Sequence, residues 1–241
     1  MLAVQYDGTD YAGWQRQANA RTVQEELETA LAAVLGRELR VTAASRTDAG
    51  VHALGQVVVL ETDIAIPVGN LVRALNDHLP PAVHVFEGGE VPAAFHPRYA
   101  ASGKLYSYRL LNRPAGSPFL GRYAWHLPAP ELDAERMQTA AKLLLGRHDF
   151  SAFRSAGSCT RSGVRRLYRF DVERQGDLIE ASLEADGFLY QMVRNLIGTV
   201  VEVGSGRREP EEATALLESR DRTRVGPPAP PQGLCLVRVF Y

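Results

Sequence analysis

The chain has 241 residues, 45% of them hydrophobic and 23% charged, which is typical of a globular protein with one large domain or two modest ones. Its net charge of −1 excludes a global positive field that would attract nucleic acid. Two cysteines, Cys159 and Cys235, are too few for a disulfide framework or a thiolate metal site. No apolar run reaches the roughly 20 residues of a membrane span, and no basic leader precedes the first strand. These features predict a cytoplasmic protein without a membrane segment.

The first part of the chain predicts the element order β-α-β-β-α-β. Alternating apolar residues at 2–6 indicate a strand, and a helix is expected to begin after Thr22 and to end at Gly36. Two further strands flank the loop 45–53. A short helix at 68–78 is then followed by the last strand of this part.

The second part predicts the same order with one extra helix. The predicted features are a strand at 104–111, a helix from Asp133 to Gly146, a hairpin turning at Gln175-Gly176, a helix capped by Asp186 and followed by Gly204, a helix at 210–220 and a strand at 234–241. The shared order indicates a similarity of topology, since no residue-level repeat accompanies it.

Residues 1–103 and 104–241 therefore predict an α+β fold of two related β-α-β-β-α-β halves. We expect the halves to share a continuous, mainly antiparallel sheet, with helices packed on one face and a cleft across the joint. A plain α+β sandwich without a functional cleft is the alternative. The first half carries the most informative loop, and the second carries an unusual strand and helix.

The loop SRTDAGVHA concentrates Arg46, Asp48 and His52 between two strands. These three residue types suit acid–base chemistry, anion binding or merely a surface network. Asp48 followed by Ala49-Gly50 is also ordinary turn chemistry. The loop alone therefore leaves a catalytic and a structural interpretation open.

The apolar sequence 188–203 is interrupted by Arg194 and Asn195. We expect Arg194 to be partly buried and paired, because an unpaired buried charge is very costly. Asp48 is the candidate partner, and such a pair would hold Asp48 ionised, as a nucleophile requires. A purely structural ion pair is the alternative. Gly198, one turn later, would let another backbone or a ligand approach closely.

Two further sequence patterns are compatible with RNA binding, and each also has a purely structural explanation. Tyr106 and Tyr108 share one face of a predicted strand, where two aromatics either fill a core or offer a base a stacking platform. Against one acid, Asp149, the segment 147–169 holds six arginines: Arg147, Arg154, Arg161, Arg165, Arg166 and Arg169. Such an excess of arginines either contacts the phosphates of a nucleic acid or lies on a face exposed to solvent.

The sequence contains no recognisable metal or cofactor signature. The six histidines lack zinc spacing, and there is no phosphate-binding Gly-x-x-x-x-Gly-Lys run and no dinucleotide fingerprint. A Gly-x-Ser-x-Gly nucleophile elbow is also missing. We therefore expect chemistry performed by side chains alone, without a metal or a cofactor.

Seven stretches together resemble the tRNA pseudouridine synthase A family in family order and cover nearly the whole chain. They are YDGTDYAGWQRQ, RTVQEELE, SRTDAGVHALGQV, FHPRYAASGKLYSYRL, HDFSAFR, FLYQMVRNLIGTVVEVG and PPQGLCLVRVFY. The resemblance implies an isomerase that converts uridine to pseudouridine at positions 38–40 of the tRNA anticodon stem-loop, without a cofactor. It also implies a homodimer in which one tRNA contacts both subunits.

The resemblance assigns roles to individual residues. Asp48 matches the essential aspartate that attacks the target nucleotide, and Arg194 matches its basic partner. The other assignments are Tyr106 packing on the flipped base, Arg46 entering the space that the base leaves, and Leu234 or Leu236 lining the pocket as substrate-binding residues.

Two other functions fit parts of the pattern. A non-catalytic RNA-binding or RNA-folding protein of the same architecture would not need Asp48, Arg194 and Tyr106 together. An aspartate-dependent glycosidase acting on a small nucleoside would not need the arginines. Product analysis distinguishes the glycosidase from a pseudouridine synthase, because hydrolysis frees uracil whereas isomerisation retains it.

Overall fold

The computed structural model describes residues 1–157, 160 and 162–241 as a mixed α+β protein. Cys159 and Arg161, which enter the sequence interpretation, lie outside the described residues. Contacts divide the chain into two compact units, one formed by Met1–Ser102 with Cys235–Tyr241 and the other by Gly103–Leu234. The last strand, which the predicted division at 103/104 assigns to the second half, thus groups with the first unit. The division into two halves itself stays a prediction.

Strands and helices follow one another closely along the described parts of the chain. The strands are β1 (Leu2–Tyr6), β2 (Thr42–Ala43), β3 (His52–Val59), β4 (Val83–Gly88), β5 (Gly103–Asn112), β6 (Trp125–Leu127), β7 (Gly146–Asp149), β8 (Val164–Gln175), β9 (Leu178–Ala185) and β10 (Leu234–Phe240). The helices are α1 (Val23–Leu35), α2 (Val68–His78), α3 (Ala134–Leu143), α4 (Met192–Gly204) and α5 (Glu212–Ser219). The predicted α+β class with mainly antiparallel pairing is confirmed.

In the first unit, β1 pairs antiparallel with both β3 and β4, while β10 runs parallel to β3. Burial alternates along β1, so that Leu2, Val4 and Tyr6 face the core. Helix α1 begins as predicted, because the Thr22 side chain accepts a hydrogen bond from the Glu25 N–H. It ends at Gly36, whose φ of 70° is the left-handed conformation of a helix cap.

A buried carboxylate, Glu28, ties helix α1 to the segment before β2. Its partners are the Gln24 amide at 2.9 Å, the Val41 N–H at 3.2 Å, and the guanidinium groups of Arg16 at 3.0 Å and Arg40 at 2.7 Å. Burial raises the pKa of Glu28, but the hydrogen bonds to its charged form outweigh burial and leave the pKa below the ordinary value.

Glu28→Gln is expected to lower the free energy of unfolding at pH 7 by about 1.5–3 kcal/mol, the range for hydrogen bonds to charged groups. Because the pKa of Glu28 is lower in the folded than in the unfolded chain, the unfolded chain binds its proton first as the pH falls. The advantage of the wild type should therefore be complete above about pH 5 and shrink below about pH 4. Denaturant unfolding of both proteins between about pH 3 and pH 7 measures this difference in the free energy of unfolding. Glu25→Gln, on the same helix but more exposed, is the control, and a pH-independent difference would contradict the prediction.

In the second unit, the strand order β5-β9-β8-β7 is antiparallel throughout, and β6 pairs parallel with β5. The predicted hairpin joins β8 to β9, with Gly176 at a φ of 60°. Asp133 caps α3 as predicted, since its carboxylate accepts from the Arg136 N–H at 2.9 Å. Helix α3 packs on β8 and α4, and its buried residues Met137 and Ala140 join the core.

Two predicted helix boundaries are wrong. Gly146 does not close α3, because that helix already ends at Leu143. Gly146, with a φ of 111°, is instead the first residue of strand β7, a strand that was not predicted from the sequence. Asp186 does not cap α4, because its carboxylate accepts from the backbone N–H of Arg166 at 2.9 Å. Helix α4 begins only at Met192, because Gln191 before it has a φ of 56° and the chain turns there, with the Met192 N–H donating to the Leu189 carbonyl at 3.0 Å.

Among the residues that the structure describes, none of the helices has the length and apolar character that a membrane span requires. Nor do three or more His, Cys, Asp or Glu side chains in these residues cluster as metal ligands.

Candidate active site

The loop that carries Asp48 is fixed by backbone hydrogen bonds to the segment after β1. The Trp14 N–H donates to the Thr47 carbonyl at 3.1 Å, and the Gly50 N–H donates to the Tyr11 carbonyl at 3.2 Å. These two bonds lie on either side of Asp48, so both ends of the turn are held.

Two glycines let the segment after β1 approach the Asp48 loop this closely. A Cβ on Gly13 would lie 2.7 Å from the Thr47 carbonyl oxygen, and Gly13 also has a φ of +94°. A Cβ on Gly8 would lie only 2.0 Å from the Val51 carbonyl oxygen. Both contacts are with backbone, which cannot move aside as a flexible side chain would, so glycine is required at both positions.

Gly13→Ala is expected to destabilise the first unit by about 2 kcal/mol or more, through an unfavourable φ and the contact with Thr47. Because Thr47 precedes Asp48, catalysis should suffer more than tRNA affinity. Thermal unfolding and steady-state kinetics check both. Gly36→Ala is the matched control, since Gly36 has a φ of +70° but nothing within 4 Å of an added Cβ. Equal losses of kcat in the two variants would contradict the prediction.

The start of the same loop is held by Gln56, a fully buried residue of β3. Its side-chain oxygen accepts from the Ser45 N–H at 3.1 Å, and its amide donates to the Ser45 carbonyl at 2.7 Å. Further along, the hydroxyls of Tyr6 and Thr47 lie 2.7 Å apart. Sequence reasoning missed these roles, although a polar Gln within the apolar run of β3 is a signal that could have found Gln56.

His52, the third polar residue of the predicted loop, is the first residue of β3 and is buried. Its Nδ1 lies 3.1 Å from the Gly8 N–H and 3.2 Å from the Asp7 carboxylate. A neutral Nδ1 accepts from Gly8, whereas a protonated Nδ1 donates to Asp7. Either state anchors the turn at residues 7–8, which lies against Val51.

Asp48 is partly exposed, whereas Arg46 is exposed. The Arg46 guanidinium forms no ion pair or hydrogen bond with the residues that the structure describes. The loop therefore combines a rigid backbone with the partly exposed carboxylate of Asp48 and the exposed guanidinium of Arg46.

Two tyrosines of β5 have different surroundings within the second unit. Tyr108 is fully buried, and its hydroxyl donates to the Pro230 carbonyl at 2.7 Å. Burial raises the pKa of Tyr108 far above its ordinary value, and the charge of Arg194 offsets only part of this effect. Tyr108 is thus a neutral core residue. Tyr106 is also buried and meets Phe188 edge-on, with ring centres 5.2 Å apart.

Arg194 is partly buried, as predicted, and is tied to the segment before β10. Its Nε donates to the Ala229 carbonyl at 2.7 Å, and its own carbonyl accepts from the Ala229 N–H at 3.0 Å. Gly198 allows this approach, because an added Cβ would lie 2.8 Å from the Pro227 carbonyl oxygen. The close backbone neighbour predicted for Gly198 is therefore this proline-rich segment.

Asn195 explains the second polar interruption of α4. It is fully buried, its amide donates to the Phe153 carbonyl at 2.8 Å, and its side-chain oxygen accepts from Arg222 at 3.0 Å. Both the amide and the side-chain oxygen of Asn195 are thus hydrogen-bonded inside the second unit. Leu234 and Leu236 are buried as well, at the start of β10.

The chain is similar to known proteins along its whole length. The family model described as tRNA pseudouridine synthase matches residues 2–100 and 140–241. Proteins named tRNA pseudouridine synthase A from Thermoanaerobacter sp. (strain X514) and Acetivibrio thermocellus are 46% and 45% identical, covering 100% of this chain and 98% of each relative. The protein of that name from Nitrosomonas europaea is 46% identical over 100% of this chain and 88% of its own length. A chain of a solved structure titled "Crystal Structure of a Cbf5-Nop10-Gar1 Complex" aligns with a TM-score of only 0.34, at 14% identity over 85% of this chain and 55% of that chain.

Proposed function

The chain belongs to the tRNA pseudouridine synthase family, and we propose that it isomerises uridine at positions 38–40 of the tRNA anticodon stem-loop, with Asp48 as the nucleophile. It is an isomerase that makes pseudouridine in tRNA. The target positions and the role of Asp48 are the proposal.

The chemistry explains which groups the enzyme needs. The N1–C1′ bond of uridine breaks, the uracil turns, and C5 bonds to C1′ while the hydrogen on C5 leaves as a proton and N1 gains one. Asp48 attacks either C6 of the uracil or C1′ of the ribose, and its carboxylate is released again when the new bond forms. A site closed to water protects the intermediate from hydrolysis.

The observation that carries the proposal is the rigid support of Asp48. The Trp14 N–H donates to the Thr47 carbonyl, and Gly13 lies close to the same carbonyl. The Ser45 N–H donates to the side chain of Gln56, so the backbone that carries the Asp48 carboxylate is fixed. A surface turn needs no such support, whereas a nucleophile gains rate from a fixed position.

The remaining site residues have roles that suit their surroundings. Arg194 would hold Asp48 ionised, and Tyr106 would pack on the flipped base and assist removal of the C5 proton. Arg46, exposed and without a protein partner among the described residues, would fill the space that the base leaves. Leu234, with Leu236 as the alternative, would line the pocket with apolar surface. We further propose a homodimer that acts in the cytoplasm.

Product analysis tests the proposal. Unmodified tRNA transcript is incubated with the enzyme, digested to nucleosides and separated by chromatography. Pseudouridine in place of uridine, without free uracil, is the expected result. Free uracil would indicate a glycosidase, and unchanged tRNA that remains tightly bound would indicate the RNA-folding alternative.

A further inference from the structure

The structure divides the arginines of segment 147–169 into two groups. Three are engaged within the second unit: Arg154 donates to the Thr160 carbonyl, Arg165 donates to the Ser162 carbonyl, and Arg169 pairs with Asp171. Arg161 lies outside the described residues. Arg147 and Arg166 remain, and neither guanidinium forms an ion pair with a residue that the structure describes.

Arg147 and Arg166 stand directly opposite each other on β7 and β8. Opposed residues of an antiparallel pair point to the same face of the sheet, and like charges in this position destabilise the pair. Both arginines are exposed, and β7 is the last strand of the β5-β9-β8-β7 order. A single anion bound by both guanidinium groups would turn this repulsion into an attraction.

An exposed aromatic ring lies beside the two charges. Tyr168 is 48% exposed, and the guanidinium carbon of Arg166 lies 5.6 Å from the centre of its ring. The register of β8 against β9 shifts between Leu167 and Arg169, so Tyr168 sits at a bulge. Bulges re-aim side chains, and here the bulge leaves a large aromatic ring in solvent next to a cation.

We propose that Arg147, Arg166 and Tyr168 form a contact site for the tRNA substrate, in which the two arginines bind a backbone phosphate and Tyr168 stacks on a neighbouring base. The assignment rests on the proposed function and adds which arginines bind the RNA. Arginine suits a phosphate because its planar fork donates two parallel hydrogen bonds. Tyrosine suits a base irrespective of sequence, as recognition by shape requires.

The test compares tRNA binding by the double variant Arg147→Ala/Arg166→Ala with that of the wild type at several salt concentrations. Loss of the phosphate contact should raise Kd and KM for tRNA about 10-fold and reduce the salt slope by about 1 to 2, with kcat at saturating tRNA unchanged. Tyr168→Leu should raise KM about 5-fold or more. The melting temperature of the double variant should stay equal or rise, because the repulsion is removed.

The matched control is Arg109→Ala/Arg169→Ala, which removes the same charge from the same unit but from arginines paired with Glu180 and Asp171. Equal Kd and salt slope in both double variants would overturn the contact site, while pseudouridine formation by the wild type would leave the proposed function intact. A change of oligomeric state on light scattering, confined to the Arg147/Arg166 variant, would instead assign this face to a chain–chain interface. Failure of the wild type to form pseudouridine would contradict the proposed function itself.

Discussion

Asp48→Asn is expected to lower the rate of pseudouridine formation by about 10⁴-fold or more, while the affinity for tRNA stays within about 2-fold. Asparagine keeps the size of the side chain but lacks the ionised carboxylate with which Asp48 is proposed to attack the nucleotide. The hydrogen bonds that hold the loop come from the backbone and from neighbouring residues, so the substitution leaves this support in place. Single-turnover assays with excess enzyme and fluorescence anisotropy with labelled tRNA give the two quantities.

Asp10→Asn is the control for Asp48→Asn, since Asp10 is an exposed carboxylate in the segment that packs against the same loop. It should retain nearly full activity. A comparable loss in both variants would indicate a general electrostatic effect on RNA binding, and full activity of Asp48→Asn would remove the proposed nucleophile.

The second large effect is expected for Arg194→Ala. Loss of the hydrogen bond from Nε to the Ala229 carbonyl should cost about 1.5–3 kcal/mol of stability. Loss of the charge that we propose to hold Asp48 ionised should in addition lower kcat by about 10² to 10³-fold. Arg194→Lys keeps the charge and should restore part of the activity but little of the stability, because an ammonium group cannot reproduce the planar geometry.

The proposed pairing of Arg194 with Asp48 has its own measurement. In a double-mutant cycle of Asp48→Asn and Arg194→Ala, denaturant unfolding should reveal a coupling free energy of about 0.5–3 kcal/mol. Additive effects on stability would refute the pairing, whatever the activities of the variants.

Most elements of the fold follow from local sequence signals. Thr22 and Gly36 mark the ends of α1 because capping depends on a few neighbouring residues, and Gly176 marks the hairpin for the same reason. The failures have a common cause. Gly146 and Asp186 have the residue types of helix boundaries, but strand pairing with β8 uses both of them instead. Such tertiary competition cannot be read from a short segment.

The candidate site can likewise be predicted only in part from the sequence. The polar loop around Asp48 and the partial burial of Arg194 could be predicted, because both depend on the contrast between polar residues and apolar neighbours. The supports at Gly8, Gly13 and Gln56 could not, since they join segments that are distant in sequence. Periodicity likewise placed the two tyrosines of β5 on one face, but only three-dimensional contacts show that Tyr108 donates to the Pro230 carbonyl whereas Tyr106 packs edge-on against Phe188.

The most direct measurement is tritium release from tRNA in which every uridine carries tritium at C5, because the new C5–C1′ bond displaces that hydrogen. Two transcripts are compared, one with uridine within positions 38–40 and one with cytidine there. We expect the wild-type enzyme to release tritium from the first transcript and none from the second, and Asp48→Asn to release none from either. Release from the second transcript at the same rate would contradict the proposed target, and release by Asp48→Asn would contradict the proposed nucleophile.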